Sequence, residues 1–268
     1  MSHAVWAAVC AAALVFQTHQ LFHLPVNQNM MGFVFFATIC SYNFHYIMGS
    51  VYAEQKFSMP LLYRQYRRVL FMVVGGVGAW LFFSAVHVKP INASIAFLLT
   101  FTYSIPLIPL KQLNFTRRAG FLKTLLLAFT WMFVTAYMPL SRFNIQFTAA
   151  GWLMLISRFL FMLMLCILFD NRDKLIDSKY GLHSLSTDLP PKLMKQLIYL
   201  LFALLFITNF LFYQHGITVM QIAALQVTGI VTMIFNIYSN KKQGYYFYYF
   251  GVDGLMILSA LLTTVVSI

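Results

Sequence analysis

Long apolar runs separated by short charged loops set the pattern of this chain. Each run is close to the roughly 20 residues that an α-helix needs to cross the hydrocarbon of a bilayer. The runs predict spans near residues 4–22, 30–50, 67–88, 91–110, 120–140, 148–169, 192–212, 217–238 and 246–267. The expected fold class is therefore an all-α polytopic membrane protein of about nine transmembrane helices, one domain over residues 1–268. The first run, from Ala4, lacks a positively charged leader and is expected to be retained as a helix.

Composition agrees with the pattern. Hydrophobic residues make up 61% of the chain and charged ones 9%, against about a quarter charged in a soluble domain. The net charge of +12 comes from 18 Lys and Arg against 6 acids. With nine spans, 15 of those cations fall in loops on one side, including Lys56, Arg67, Lys111, Lys123, Lys179 and Lys242. Only Lys89 and Arg142 face the other side, and Arg158 is left inside a span. The positive-inside rule then places the amino terminus and the large loops in the cytoplasm, with the protein in the inner (cytoplasmic) membrane. Nucleic acid is not an expected partner, because no soluble basic domain is present to bind it. Cys10, Cys40 and Cys166 lie in apolar runs without metal-ligand spacing and read as small core residues.

Three of the six acids sit in one charged stretch, Asp170-Asn171-Arg172-Asp173-Lys174-Leu175-Ile176-Asp177. On a helix, Asp170, Asp173 and Asp177 project from one face. Carboxylates that close repel one another. A hard divalent ion bridging to phosphate would compensate them, or the interleaved Arg172, Lys174 and Lys179 would do so, or the stretch is a solvated loop.

Other polar residues need a reason too. Arg158 and Asp253 lie within predicted spans, each at a cost of about 2.5–3.5 kcal/mol on insertion scales, so both are expected to face the bundle interior and to pair. His19 and His23, without an accompanying carboxylate or thiolate, read as interfacial. Tyr245 to Phe250 reads as an interfacial aromatic belt. Pro106 and Pro109 break the helix near the end of the fourth span, ahead of Lys111. Glu54, alone among cations, is a loop acid or a further metal ligand. No internal repeat suggests a transporter.

Three features resemble the UbiA superfamily of membrane-embedded prenyltransferases. These are the nine spans, the D-x-x-D-x-x-x-D pattern at Asp170, Asp173 and Asp177 followed by Gly181, and the Tyr103-to-Lys111 stretch. The resemblance implies a helical bundle with a cavity open to lipid, and transfer of an isoprenyl group from a polyprenyl diphosphate to an aromatic or lipid-like acceptor. It further implies Mg2+ held by Asp170, Asp173 and Asp177, which are also the catalytic residues. Asn43, His45, Tyr103, Lys111, Arg172 and His183 would bind substrate. The family's first acidic motif, N-x-x-x-D-x-x-x-D, is matched here only by Asn43. Ile47 and Val51 occupy the two aspartate positions, so the alternative is a catalytically inactive isoprenoid-binding or scaffold protein.

Overall fold

The computed structural model describes residues 2–54, 59–86, 89–104, 120–179, 183–239 and 243–267. Lys111, Pro106, Pro109 and Gly181 lie outside them, as do the side chains of Glu54 and Asp177. The described residues form helices and connecting turns, with no strand among them.

In chain order the helices are α1 (Ser2–Leu21), α2 (Gln28–Glu54), the short α3 (Met59–Arg64), α4 (Tyr66–Val86) and α5 (Pro90–Ser104). Next, α6 (Gly120–Met132) runs on through a π-helical turn, Phe133–Tyr137, into Met138–Ser141. After it come α7 (Ala149–Lys179), α8 (Leu185–Asp188), α9 (Pro191–Leu211) and α10 (Val219–Ser239). The last, α11 (Asp253–Val265), is preceded by a second π-helical turn, Phe247–Val252.

Helices occupy each of the nine expected positions, and seven of them are long and apolar enough to cross a membrane. The other two are α2, whose apolar run is diluted by residues such as Asn43 and His45, and α5, with 15 described residues. Trp80, Phe97 and Met220 carry their side chains outward and exposed, a surface suited to lipid rather than water. The chain is an integral membrane protein.

Local chemistry sets the helix ends. Pro191 opens α9, where its missing N–H costs nothing. Thr148 Oγ1 caps α7 by accepting from the Gly151 amide at 3.0 Å. Thr218 and Gln221 form a reciprocal box at the start of α10, with bonds of 3.0 and 3.2 Å. Gly216, at φ 83°, closes the turn between α9 and α10 in the left-handed region that glycine enters freely.

Packing decides which helix is central. Of the α7 span, 72% is buried, against 17% for α4. Thus α7 is the core of the bundle, flanked by α6, α9 and α10, while α4 lies outside against α2. The α2–α4 approach is close, because a Cβ on Gly75 would stand 2.7 Å from the Cys40 amide nitrogen. That contact is of the small-residue kind that lets membrane helices meet backbone to backbone. With 31 residues, α7 is about 46 Å long, longer than the ~30 Å hydrocarbon layer. Its last turns, with Asp170 and Asp173, therefore stand at one end of the bundle, called here the acidic end.

Candidate functional site

Because α7 stays helical through Lys179, the backbone places Asp170, Asp173 and Asp177 on one face, as their spacing predicts. Thr124, in the first turns of α6, donates its hydroxyl to Asp170 Oδ2 at 2.6 Å. Ser186 on α8 donates to the Asp170 carbonyl at 2.7 Å, which ties the segment after α7 back beneath the carboxylate. Ser184 and Thr187 hold α8 itself in a capping box.

Arg172 folds onto its neighbour. Its Nε and Nη2 donate to the two oxygens of Asp173 at 2.7 and 2.6 Å, a bidentate fork. The guanidinium carbon also lies 4.6 Å from the ring centre of Tyr249, 5.0 Å from Phe169 and 5.6 Å from Tyr248. Held by carboxylate and rings together, Arg172 keeps one buried nitrogen, Nη1, without a hydrogen-bond partner.

The two tyrosines reach it through the π-helical turn Phe247–Val252, which rotates the residues after it relative to those before. The expected aromatic belt is thereby split. Tyr245 and Tyr246 remain exposed, whereas Tyr248 is buried and Tyr249 packs edge-on against His3 at 4.0 Å. His3 is further surrounded by Tyr42 at 5.6 Å and Tyr46 at 6.2 Å. Its Nδ1 lies 3.4 Å from Asp253 Oδ2, and neither atom has a hydrogen-bond partner. A packed aromatic cluster thus joins α1, α2 and the π-helical turn to Arg172. In the sequence, only the cost of an acid in a span pointed to Asp253, and nothing pointed to His3 or Thr124.

Elsewhere on α2, His45 stacks on Tyr103 at 4.8 Å. His45 Nδ1 and Ser104 Oγ are hydrogen-bonded at 3.3 Å, and Ser104 Oγ lies at the same distance from the Thr100 carbonyl. Lys123 Nζ lies 5.9 Å from the same Tyr103 ring. Adjacent residues of α6 therefore serve the two sides, Lys123 towards Tyr103 and Thr124 towards Asp170. Arg68 on α4 stands over Tyr46 at 5.3 Å, held by Gln65, which in turn bonds Ser50.

Other predicted residues are placed differently. Asn43 is buried and donates to the Ile39 carbonyl of its own helix at 2.8 Å. His183 bonds Asp188 at 2.7 Å on the exposed side of the α8 turn. His19 is not interfacial but buried, bonded to the Val15 carbonyl at 2.8 Å. Arg158 and Asp253 do not pair: Arg158 Nη2 donates to Gln17 Oε1 at 2.8 Å, while Asp253 meets His3. Both find partners on α1, but those partners are about 21 Å apart along it.

Neither a family model nor a curated protein sequence matches the chain. Among solved structures, the apo structure of a UbiA homolog from Aeropyrum pernix K1 is similar with a TM-score of 0.68. The likeness covers 99% of this chain and 96% of that one at 11% identity. The chain has the UbiA fold. On this UbiA fold, the described carboxylates of α7 are those of Asp170, which accepts from Thr124, and Asp173, whose two oxygens are engaged by Arg172. On α2, Ile47 and Val51 offer no oxygen donor and are buried against Met48, Val69 and Met72. Among the described residues no group of three or more acids, histidines or cysteines converges.

Proposed function

We propose that this UbiA-fold membrane protein is a divergent prenyltransferase, moving an isoprenyl group from a polyprenyl diphosphate to an aromatic or lipid-like acceptor. The observation that carries the reading is Arg172, with its unused Nη1, set between Asp173 and the rings of Tyr248 and Tyr249. A diphosphate needs cations and an allylic chain needs apolar, electron-rich walls. Here the two adjoin.

Arg172 Nη1, Lys123 and Arg68 would take the phosphate oxygens, and Lys111, His183, Asn43, His45 and Tyr103 are the further candidates for substrate contact. Asp170, Asp173 and Asp177 would hold Mg2+, which neutralises charge on the leaving diphosphate when bound. As the allylic C–O bond breaks, its electron pair leaves on the diphosphate. The charge left at carbon would be stabilised by electron-rich ring faces, each worth about 2 kcal/mol when desolvated. The acceptor would then bond to that carbon and lose a proton, and Asp253, whose Oδ2 lies 3.4 Å from His3 Nδ1, is the candidate to take it.

Purified protein with Mg2+ is expected to release diphosphate from labelled polyprenyl diphosphates and to transfer the chain to acceptor. Asp253→Asn should lower transfer about 100-fold with diphosphate binding unchanged. Folded protein without turnover at any chain length would sink the enzyme reading. The burial of Ile47 and Val51 favours a second reading, a protein that binds an isoprenoid diphosphate without ionising it. Saturable binding with no product would establish it.

The bias of 15 loop cations to 2 supports an orientation with the acidic end and the amino terminus in the cytoplasm of the inner membrane. A cysteine at Lys195 should label from the cytoplasmic side only. One at Arg142 should label from the outside, and the reverse pattern would overturn the orientation.

A further inference from the structure

About 18 Å along α7 from Asp170, towards the far end of the bundle, Arg158 is 3% exposed among five helices. Beside it lies a cavity of about 20 Å³. Its polar lining comes from Gln17 on α1, Ser157 and Arg158 on α7, Asn209 on α9, Thr228 on α10 and Ser259 on α11. Asn209 stands two residues before α9 ends, one turn from the loop that closes this end.

Every partner of Arg158 is neutral. Its Nη2 donates to Gln17 Oε1 at 2.8 Å, to Thr18 Oγ1 at 3.3 Å and to the Leu14 carbonyl at 3.5 Å. Its Nη1 is buried without a partner. The chain has six acids, and none is placed to help. Glu54, Asp170, Asp173, Asp177 and Asp188 belong to the acidic end, and Asp253 lies about 9 Å along α11 from Ser259. A guanidinium cannot shed its charge, so a full positive charge sits in a low-dielectric interior with no counter-charge among the described residues.

The neighbouring polar groups are already bonded, to one another or to backbone. Gln17 Oε1 is taken by Arg158, while Gln17 Nε2 donates to Ser259 Oγ at 2.9 Å and Thr263 Oγ1 at 3.2 Å. Asn209 Oδ1 accepts from Ser157 at 2.5 Å, and Thr228 donates to the Ala224 carbonyl at 3.0 Å. The site therefore offers an unused donor and a surplus charge.

We propose that this cavity is a binding site for a small monovalent anion of chloride's size. A water molecule would satisfy Nη1 but leave the charge uncompensated, whereas an anion does both. The volume exceeds the roughly 10–15 Å³ that a water needs and is too small for phosphate or an organic acid. The site is separate from the acidic end and does not depend on prenyl transfer.

The test is thermal unfolding of the detergent-purified protein at fixed ionic strength, with gluconate replaced stepwise by chloride or bromide. The wild type is expected to gain several degrees in Tm, saturably, with either halide. Arg158→Gln, which keeps a hydrogen-bonding group but removes the charge, should lose that dependence. An unchanged Tm in the wild type, or an equal halide shift in the variant, would overturn the site. Should the variant not fold, wild-type crystals in saturating bromide decide: an anomalous peak beside Arg158 Nη1 supports the site, and none there refutes it.

Discussion

Asp170→Ala is expected to reduce diphosphate release from a polyprenyl diphosphate by about 100-fold or more, the usual loss when one preorganised electrostatic group is removed from a reacting centre. Stability should change little, since this carboxylate stands at the end of the bundle and not in its core. The bond from Thr124 Oγ1 at 2.6 Å fixes where Asp170 points, independently of its charge. Thr124→Val should therefore cost less, about 10-fold, by freeing the carboxylate without deleting it. Rates from labelled diphosphate, read beside Tm for each variant, separate the two effects. Equal rates in wild type and Asp170→Ala would remove this carboxylate from the chemistry.

Installing the missing acids on α2 is expected to damage the protein rather than improve it. Ile47 is 3% exposed and Val51 2%, and both pack against Met48, Val69 and Met72 at the α2–α4 contact. A carboxylate there meets apolar side chains, at a cost of about 3 kcal/mol for each of Ile47→Asp and Val51→Asp. The double variant should aggregate or unfold in detergent at a temperature where Ile47→Leu and Val51→Ile, which keep the volume nearly constant, remain folded. A stable double variant with a new Mg2+-dependent rise in Tm would mean that α4 does not seal this face of α2.

Much was legible along the chain. The helices and the shared face of the α7 aspartates follow from local spacing, whereas the absent acids of α2 show only against the motif of the family the chain resembles. Thr124 and His3 did not announce themselves, because a threonine or a histidine near a helix end is common and becomes part of a site only when another helix is turned towards it. The aromatic run from Tyr245 to Phe250 misled for a similar reason. Hydropathy treats its six rings alike, while the π-helical turn leaves Tyr246 outside and brings Tyr249 to His3 and Arg172.

The expected pairing of Arg158 with Asp253 shows where reading along the chain stops. Each was correctly placed in the interior from the cost of charge in a bilayer, yet each is met by a different part of α1. By itself, the sequence determined that this is a helical membrane protein and where most of its helices lie, because in hydrocarbon each helix must satisfy its own backbone. Which side chains meet across helices was decided only by the tertiary structure. Those meetings depend on the depth, rotation and register of one helix against another, and an apolar run of the right length is compatible with many of these.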